Sequence, residues 1–379
     1  MKKHFFSLLI AAGMFSLTAC TVNDNPSSGV ITVPGIPSDV AAEPNPTLPD
    51  APNTTVPNIN YSVETQGGNH VIRLDLTGIQ SPDDPTQWLR LYGTGTSEQN
   101  IWVSIDDVPK GFVIENTIDS EEQVSAVDLV FLVDNSGSMG EEANTIARDI
   151  ISWSNDLSST LDMRFGCIGY DEGYISGALD ITDVNTLSTW LNKSTGTSRT
   201  HGFKSDYGTD LQTLANNYRV NNWHECGVAG LRMADENFTF RNKANRVYVN
   251  FTDEPSQPNN NTEFSTEWVK EPSNWPSVKG TIHTVFSGNK NFTEQIYRNE
   301  YPWLLSDYTG GTTIFTNASF TGVSLSSLPI TGALQNSYII KFTNIENLFD
   351  GQPHVVKITI LSPNGTVRAE KEYKITFVL

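Results

Sequence analysis

Asp134, Ser136 and Ser138 stand at alternate positions in the run Asp134-Asn-Ser-Gly-Ser-Met-Gly140. Alternation along an extended chain points all three side chains the same way. One carboxylate and two hydroxyls are hard oxygen donors, which suit Mg²⁺, Ca²⁺ or Mn²⁺ rather than zinc, whose sites are built mainly from sulfur and nitrogen. Two other chemistries fail on the residues. A phosphate-binding loop needs a Lys after its glycines and no acid where Asp134 stands. A nucleophile elbow needs Gly two positions to either side of the Ser, a frame that neither Ser136 nor Ser138 has.

The elements that position these groups are legible on both sides. Residues 129–133 (LVFLV) are continuously apolar, as in a strand buried on both faces of a parallel sheet. After the loop, Ala143, Ile146, Ala147, Ile150, Ile151 and Leu157 recur at helical steps. A strand, a glycine-containing loop and an amphipathic helix open an α/β wound unit, which binds ligands at the carboxyl ends of its strands. Further strands are expected at 163–170, 177–181, 246–251, 281–286 and 312–315. Helical patterns lie around 184–191, 225–237, 292–297 and 303–308. The spacing predicts a doubly wound, Rossmann-like α/β domain over 126–320. The flanks alternate instead, at 70–76 and 101–105 before it and at 338–343, 355–361 and 373–378 after it. Each flank alone, at ~60 residues, is marginal as a core. Segments 58–125 and 321–379 are therefore expected to form one β-sandwich, with the α/β domain inserted between them.

The loop and its flanking elements resemble the von Willebrand factor A domain and its metal-ion-dependent adhesion site, an Asp-x-Ser-x-Ser motif following the first strand. The resemblance covers about half of the chain. It implies two more ligands. One is an Asp closing the fourth strand, which Asp253 in Val249-Asn-Phe-Thr-Asp253-Glu254 supplies. The other is a Thr in the loop before the third helix, and Gly208-Thr209-Asp210-Leu211 looks like that loop. However, Trp223-His-Glu225-Cys-Gly-Val-Ala-Gly-Leu231, with the segment 240–253, is similar to the I-like domain of integrin β chains, where a Glu replaces the Thr. Spacing favours Glu225, which stands nearer the fourth strand, and Thr209 is the alternative. In that branch acids at Glu141 and Glu142 form an adjacent metal site, although acids in a first helical turn also simply complement the helix dipole. By the same analogy Asp171, Glu172, Asp180 and Asp183 are rim acids, and His224 is a wall residue or a structural one.

The resemblance implies a function. A six-coordinate Mg²⁺ held by two hydroxyls, carboxylates and water keeps a position open to solvent. An Asp or Glu carboxylate from a protein partner can complete it, giving metal-dependent adhesion or protein binding. A structural or assembly subunit of an envelope complex is the alternative. A metal-dependent hydrolase is disfavoured, because no His-Glu-x-x-His pattern occurs and hydroxyl ligands supply no general base.

The amino terminus speaks to location. Lys2 and Lys3 precede an apolar run at 5–17 that is too short to span a bilayer comfortably. It closes on Leu17-Thr-Ala-Cys20, which resembles a bacterial lipobox. That implies a signal peptide at 1–19 and lipid on Cys20. Thr21 after the Cys implies outer-membrane sorting. Residues 21–57 hold eight of the chain's 19 prolines, so 20–57 is expected to be a semi-extended tether. Cys167 and Cys226 are then either a disulfide or two buried thiols. Across 379 residues, Lys+Arg 24 against Asp+Glu 43 gives a net charge of −19, which repels nucleic-acid phosphates.

Overall fold

The alternating run at 70–76 finds its partner just upstream. In the computed structural model, β1 (Ile59–Gln66) and β2 (Asn69–Leu76) form an antiparallel hairpin. The structure describes residues 33–84, 86–117, 126–140, 142–192, 206–207, 211–220, 224–291, 299–317, 320, 325 and 329–379. Cys20, Glu141, Thr209, the leader at 1–19 and the helical pattern at 292–297 lie outside the described residues. β3 (Ile101–Ile105), β4 (Val108–Pro109) and β5 (Phe112–Asn116) complete the first flank.

The α/β part begins with β6 (Val127–Asp134), α1 (Glu142–Ser158), β7 (Met163–Asp171) and β8 (Tyr174–Thr182). It continues through α2 (Val184–Leu191), β9 (Asp206–Tyr207), α3 (Leu211–Ala215), α4 (Gly227–Asn237) and β10 (Asn245–Thr252). It closes with α5 (Thr266–Lys270), β11 (Thr281–Ser287), α6 (Trp303–Thr309), β12 (Thr313–Thr316) and α7 (Pro329–Gln335). The second flank is β13 (Tyr338–Phe342), β14 (His354–Leu361) and β15 (Arg368–Ile375).

The α/β sheet runs in the order β12-β11-β10-β6-β7-β8-β9. β6 lies at its centre, parallel to β10 and β7, and all eight of its residues are buried. Leu129, Phe131 and Val133 feed the core shared with α1 and α2, while Val130 and Leu132 feed the opposite core, which includes α4. Two apolar faces at period two produce the continuous apolar run. Phe131 stacks on Phe165 at 6.2 Å and meets Trp153 of α1 edge-on at 6.0 Å. Removing such a buried ring typically costs about 3–5 kcal/mol, so the strand that delivers Asp134 is firmly held.

Two strands, β8 and the short β9 parallel to it, run against the other five. Gly173, at φ +83°, turns the chain back after β7, and β8 pairs antiparallel with it. Thr182 near the end of β8 therefore lies beside Phe165 near the start of β7. The α/β domain also runs past residue 320: Ile330 and Leu334 of α7 belong to the core of Phe131 and Val249, so the second β flank starts after α7 and not at 321.

The two flanks form one sandwich, as expected. Its sheets are β1-β2-β13-β5 and β15-β14-β3-β4. β13 pairs with both β2 and β5, and β14 pairs with β3, so strands from before and after the insertion share each sheet. The sandwich meets the α/β domain at the amino ends of its strands. Asn58 donates from its backbone N–H to Thr309 O and from Nδ2 to Gly280 O, and Asn60 Nδ2 reaches Lys243 O and Ala244 O.

The tether expectation for 20–57 is corrected over 33–57. Val33 and Ile36 are buried against Val71. Lys110 Nζ donates to Asp39 Oδ2 at 2.9 Å, Asn45 Nδ2 to Thr359 Oγ1 at 3.0 Å, and Asn53 N–H to Arg368 O. Fixed extended backbone with few donors suits a strap laid across a sandwich as well as it suits a free linker. Asp39→Ala strips the carboxylate from a Lys110 side chain only 6% exposed, and urea unfolding should report a loss of about 2 kcal/mol.

A second contact ties turns of the sandwich together. His354 Nδ1 lies 2.7 Å from Asp106 Oδ2 and Nε2 lies 3.1 Å from Asp350 Oδ1. Burial lowers the His354 pKa, but these hydrogen bonds and charges outweigh it and raise the pKa above the ordinary value. The contribution to stability is thus full below the unfolded histidine pKa of ~6.5 and is lost as pH rises through the raised folded value. Thermal melts from pH 5 to 9 should show this decline in the wild type, and a weaker one in His354→Gln.

Candidate metal centre

β6 ends on Asp134, which is fully buried, and the chain leaves the sheet through a loop fixed by its own side chains. Ser136 N–H donates to Asp134 Oδ1 at 2.9 Å, and Asn135 N–H donates to Tyr170 O at 2.7 Å. Such an Asp-to-backbone turn holds the two serines in place. Ser136 Oγ and Ser138 Oγ are 3.0 Å apart, and Ser138 Oγ donates to Asp253 Oδ1 at 3.2 Å. Asp253 arrives from the end of β10, the strand beside β6, and Glu225 arrives from the residues just before α4. One carboxylate oxygen from each of Asp134, Glu225 and Asp253 lies within 4.8 Å of the others.

The electrostatics of the cluster are unbalanced. Burial, then the Asp253 charge, pushes Asp134 up to about 7. Burial, then the charges of Asp134, Asp253 and Glu254, pushes Glu225 up to about 8. Burial also raises Asp253. Among the described residues, no basic side chain is among these main causes. Glu225 Oε2 is buried and has no hydrogen-bond partner among the described residues, a costly state for a carboxylate oxygen unless a cation meets it. Three carboxylates and two hydroxyls fit a hard divalent cation, and the exposed Ser138 leaves one side open to solvent.

The structure thus brings together Asp134, Ser136, Ser138, Glu225 and Asp253. Glu142 is buried in the first turn of α1, outside this group of three carboxylates. Two of the rim acids are displaced. Because β8 runs antiparallel, Asp180 and Asp183 stand at the opposite edge of the sheet. There Asp180 accepts from Thr239, and Asp183 caps α2 through Asn185 N–H and Thr186 N–H. Asp171 accepts from Glu172 N–H, and the His224 carbonyl accepts from Gly173 N–H. Cys167 and Cys226 are free thiols, which corrects the disulfide alternative. They belong to the cores on opposite faces of the sheet.

The sequence reading passed over the polar residues beneath the site. Thr252 Oγ1 donates to Asp134 Oδ2 at 2.8 Å, and Tyr170 Oη donates to Asn250 Oδ1 at 3.0 Å. The available signal was Asn250 and Thr252 themselves, two polar residues at alternate positions inside an otherwise apolar buried strand.

In the ion-free protein the folded carboxylates hold protons that the unfolded ones, with pKa near 4, release. Stability from this cluster is therefore highest at acid pH and falls as pH rises from ~4 through 7 to 8, and a cation relieves the penalty. The melting-temperature gain on adding Mg²⁺ or Ca²⁺ should be larger at pH 8 than at pH 6, and should vanish in Asp134→Ala.

No protein-family model matches the chain, and no curated protein sequence matches it. Solved structures do show a likeness to it in fold. One is the conserved hypothetical protein BatB from Bacteroides thetaiotaomicron, at 14% identity and TM-score 0.32, over 52% of this chain and 93% of that one. Another is the vWF domain of the type V pili tip protein Mfa5 from Porphyromonas gingivalis, at 12% and 0.31, over 53% and 92%. A third is manganese-loaded TRAP protein from Plasmodium vivax, at 12% and 0.33, over 70% and 97%. Likenesses of this depth assign no family; what the chain itself carries is a mostly parallel α/β sheet with two antiparallel flanking sheets and a candidate acidic metal site.

Proposed function

We propose that this chain is a cell-envelope binding protein whose α/β domain holds one divalent cation and, through it, a carboxylate-bearing protein partner. The observation that carries the reading is the cluster of Asp134, Glu225 and Asp253, in which the buried Glu225 Oε2 has no hydrogen-bond partner among the described residues. Burial and mutual repulsion disfavour the ionised, ion-free cluster, and a divalent cation would offset two of its three negative charges. When bound, such a cation would supply Lewis-acid attraction for an oxygen from a partner. Asp134, Ser136, Ser138, Glu225 and Asp253 act as ligands, so the role is capture and not turnover.

Placement supports this reading. The site lies at the carboxyl ends of the strands, while the sandwich attaches at their amino ends, so a partner approaches the face directed away from the sandwich. Among the described residues no helix is long and apolar enough to cross a membrane. Lipid on Cys20, with outer-membrane sorting, would hold the protein at the envelope, and the strap over 33–57 would pass the anchor's pull directly into the sandwich.

Crosslinking on intact cells in Mg²⁺ or Ca²⁺, in chelator, and with Asp134→Ala tests the reading. Partner adducts should form only in the wild type with the cation present. The same adducts in all three conditions would assign the binding to another surface.

A further inference from the structure

Asp134 is held from both sides. Ser136 N–H occupies Oδ1, and the Thr252 hydroxyl occupies Oδ2 at 2.8 Å. Thr252 is itself only 2% exposed. A hydroxyl has one proton to give and two lone pairs to offer. Asp134 Oδ2 at 2.8 Å and Glu254 O at 3.2 Å stand within reach of that proton, the Tyr170 hydroxyl is a further hydrogen-bonding neighbour, and Glu254 N–H donates back to Oγ1 at 3.1 Å. The closer, charged acceptor takes the proton, since charge-assisted hydrogen bonds are the stronger ones. Oγ1 then remains free to accept from Glu254 N–H. One side chain thus grips Asp134 and, at the same time, the backbone on the far side of Asp253.

We propose that Thr252 is a positioning residue of the metal centre, orienting Asp134 and clamping the 252–254 turn so that the Asp134 and Asp253 carboxylates converge on one ion. The role rests on the metal-binding reading above. Thr252 sends no atom to the ion itself. It fixes which Asp134 lone pairs remain available, and it keeps Asp253 Oδ1 within reach of Ser138 Oγ, at 3.2 Å. Groups that orient metal ligands in this way are commonly worth 10–100-fold in affinity.

Calorimetric titration of the full chain with Mg²⁺ and with Ca²⁺ tests the proposal, using wild type, Thr252→Val and Thr252→Ser. Val keeps the branched shape and removes the hydroxyl, whereas Ser keeps the hydroxyl. The expected result is a Kd weakened at least tenfold in Val and within about threefold of wild type in Ser. Melts of all three variants in chelator separate this effect from a general loss of packing, which would not be rescued by Ser. A Val variant that binds within threefold of wild type overturns the role of Thr252 and leaves the metal site standing. A wild type that takes up no ion overturns the metal reading, and this role with it. Should the Val variant fail to fold, amide exchange at Glu254 in ion-loaded wild type decides: protection supports the clamp, and exchange at the rate of an open loop refutes it.

Discussion

Three carboxylates share a pocket at the end of a fully buried strand, and their mutual repulsion is the constraint around which the upper edge of this protein is organised. At 4.8 Å or less between Asp134, Glu225 and Asp253 oxygens, with burial weakening the screening by water, full ionisation is disfavoured unless positive charge enters. Among the described residues, no basic side chain is among the main causes that shift these acids. The protein instead supplies hydroxyls and backbone N–H groups, which orient carboxylates without neutralising them. On the proposed reading, the compensating charge comes from an ion in solution, and the open side of that ion would receive the partner.

Such a cluster needs rigid support, because its ligands come from distant parts of the sequence. β6 provides it at the centre of the sheet, with apolar side chains feeding cores on both faces. β10 lies in register beside it, placing Phe251 next to Val133 and delivering Thr252 and Asp253 to the level of Asp134. α4 begins two residues after Glu225, and Gln257 N–H donates to the Glu225 carbonyl, tying that segment to the loop after β10. The sandwich and its strap sit at the far end of the strands, where they anchor the domain without crowding the site.

Much of this was legible in the sequence because it is local. The Asp134-x-Ser-x-Ser138 spacing, the LVFLV strand and the helix after it are determined within thirty residues or so, and the family resemblance extended them to Asp253 and Glu225. Features set by tertiary partners were not legible. Nothing within 33–57 marks whether a proline-rich segment packs on a sheet, since Val33 and Ile36 acquire meaning only against Val71. The reversal at Gly173 looked like any other turn, and it carried Asp180 and Asp183 to the wrong edge. The short helix α7 lay in a stretch read as the start of the second flank, although its Ile330 and Leu334 pack with the α/β core. Cys167 and Cys226 could not be assigned to opposite faces of a sheet without the register of β7 and the position of α4.

The most direct measurement is anomalous diffraction from crystals of the protein grown with Mn²⁺. The account predicts one strong peak bounded by Asp134, Ser136, Ser138, Glu225 and Asp253, with Thr252 behind Asp134 and outside the coordination sphere. Saturating Mn²⁺ with no peak at this position, in crystals where Asp134 and Glu225 are well defined, would contradict it.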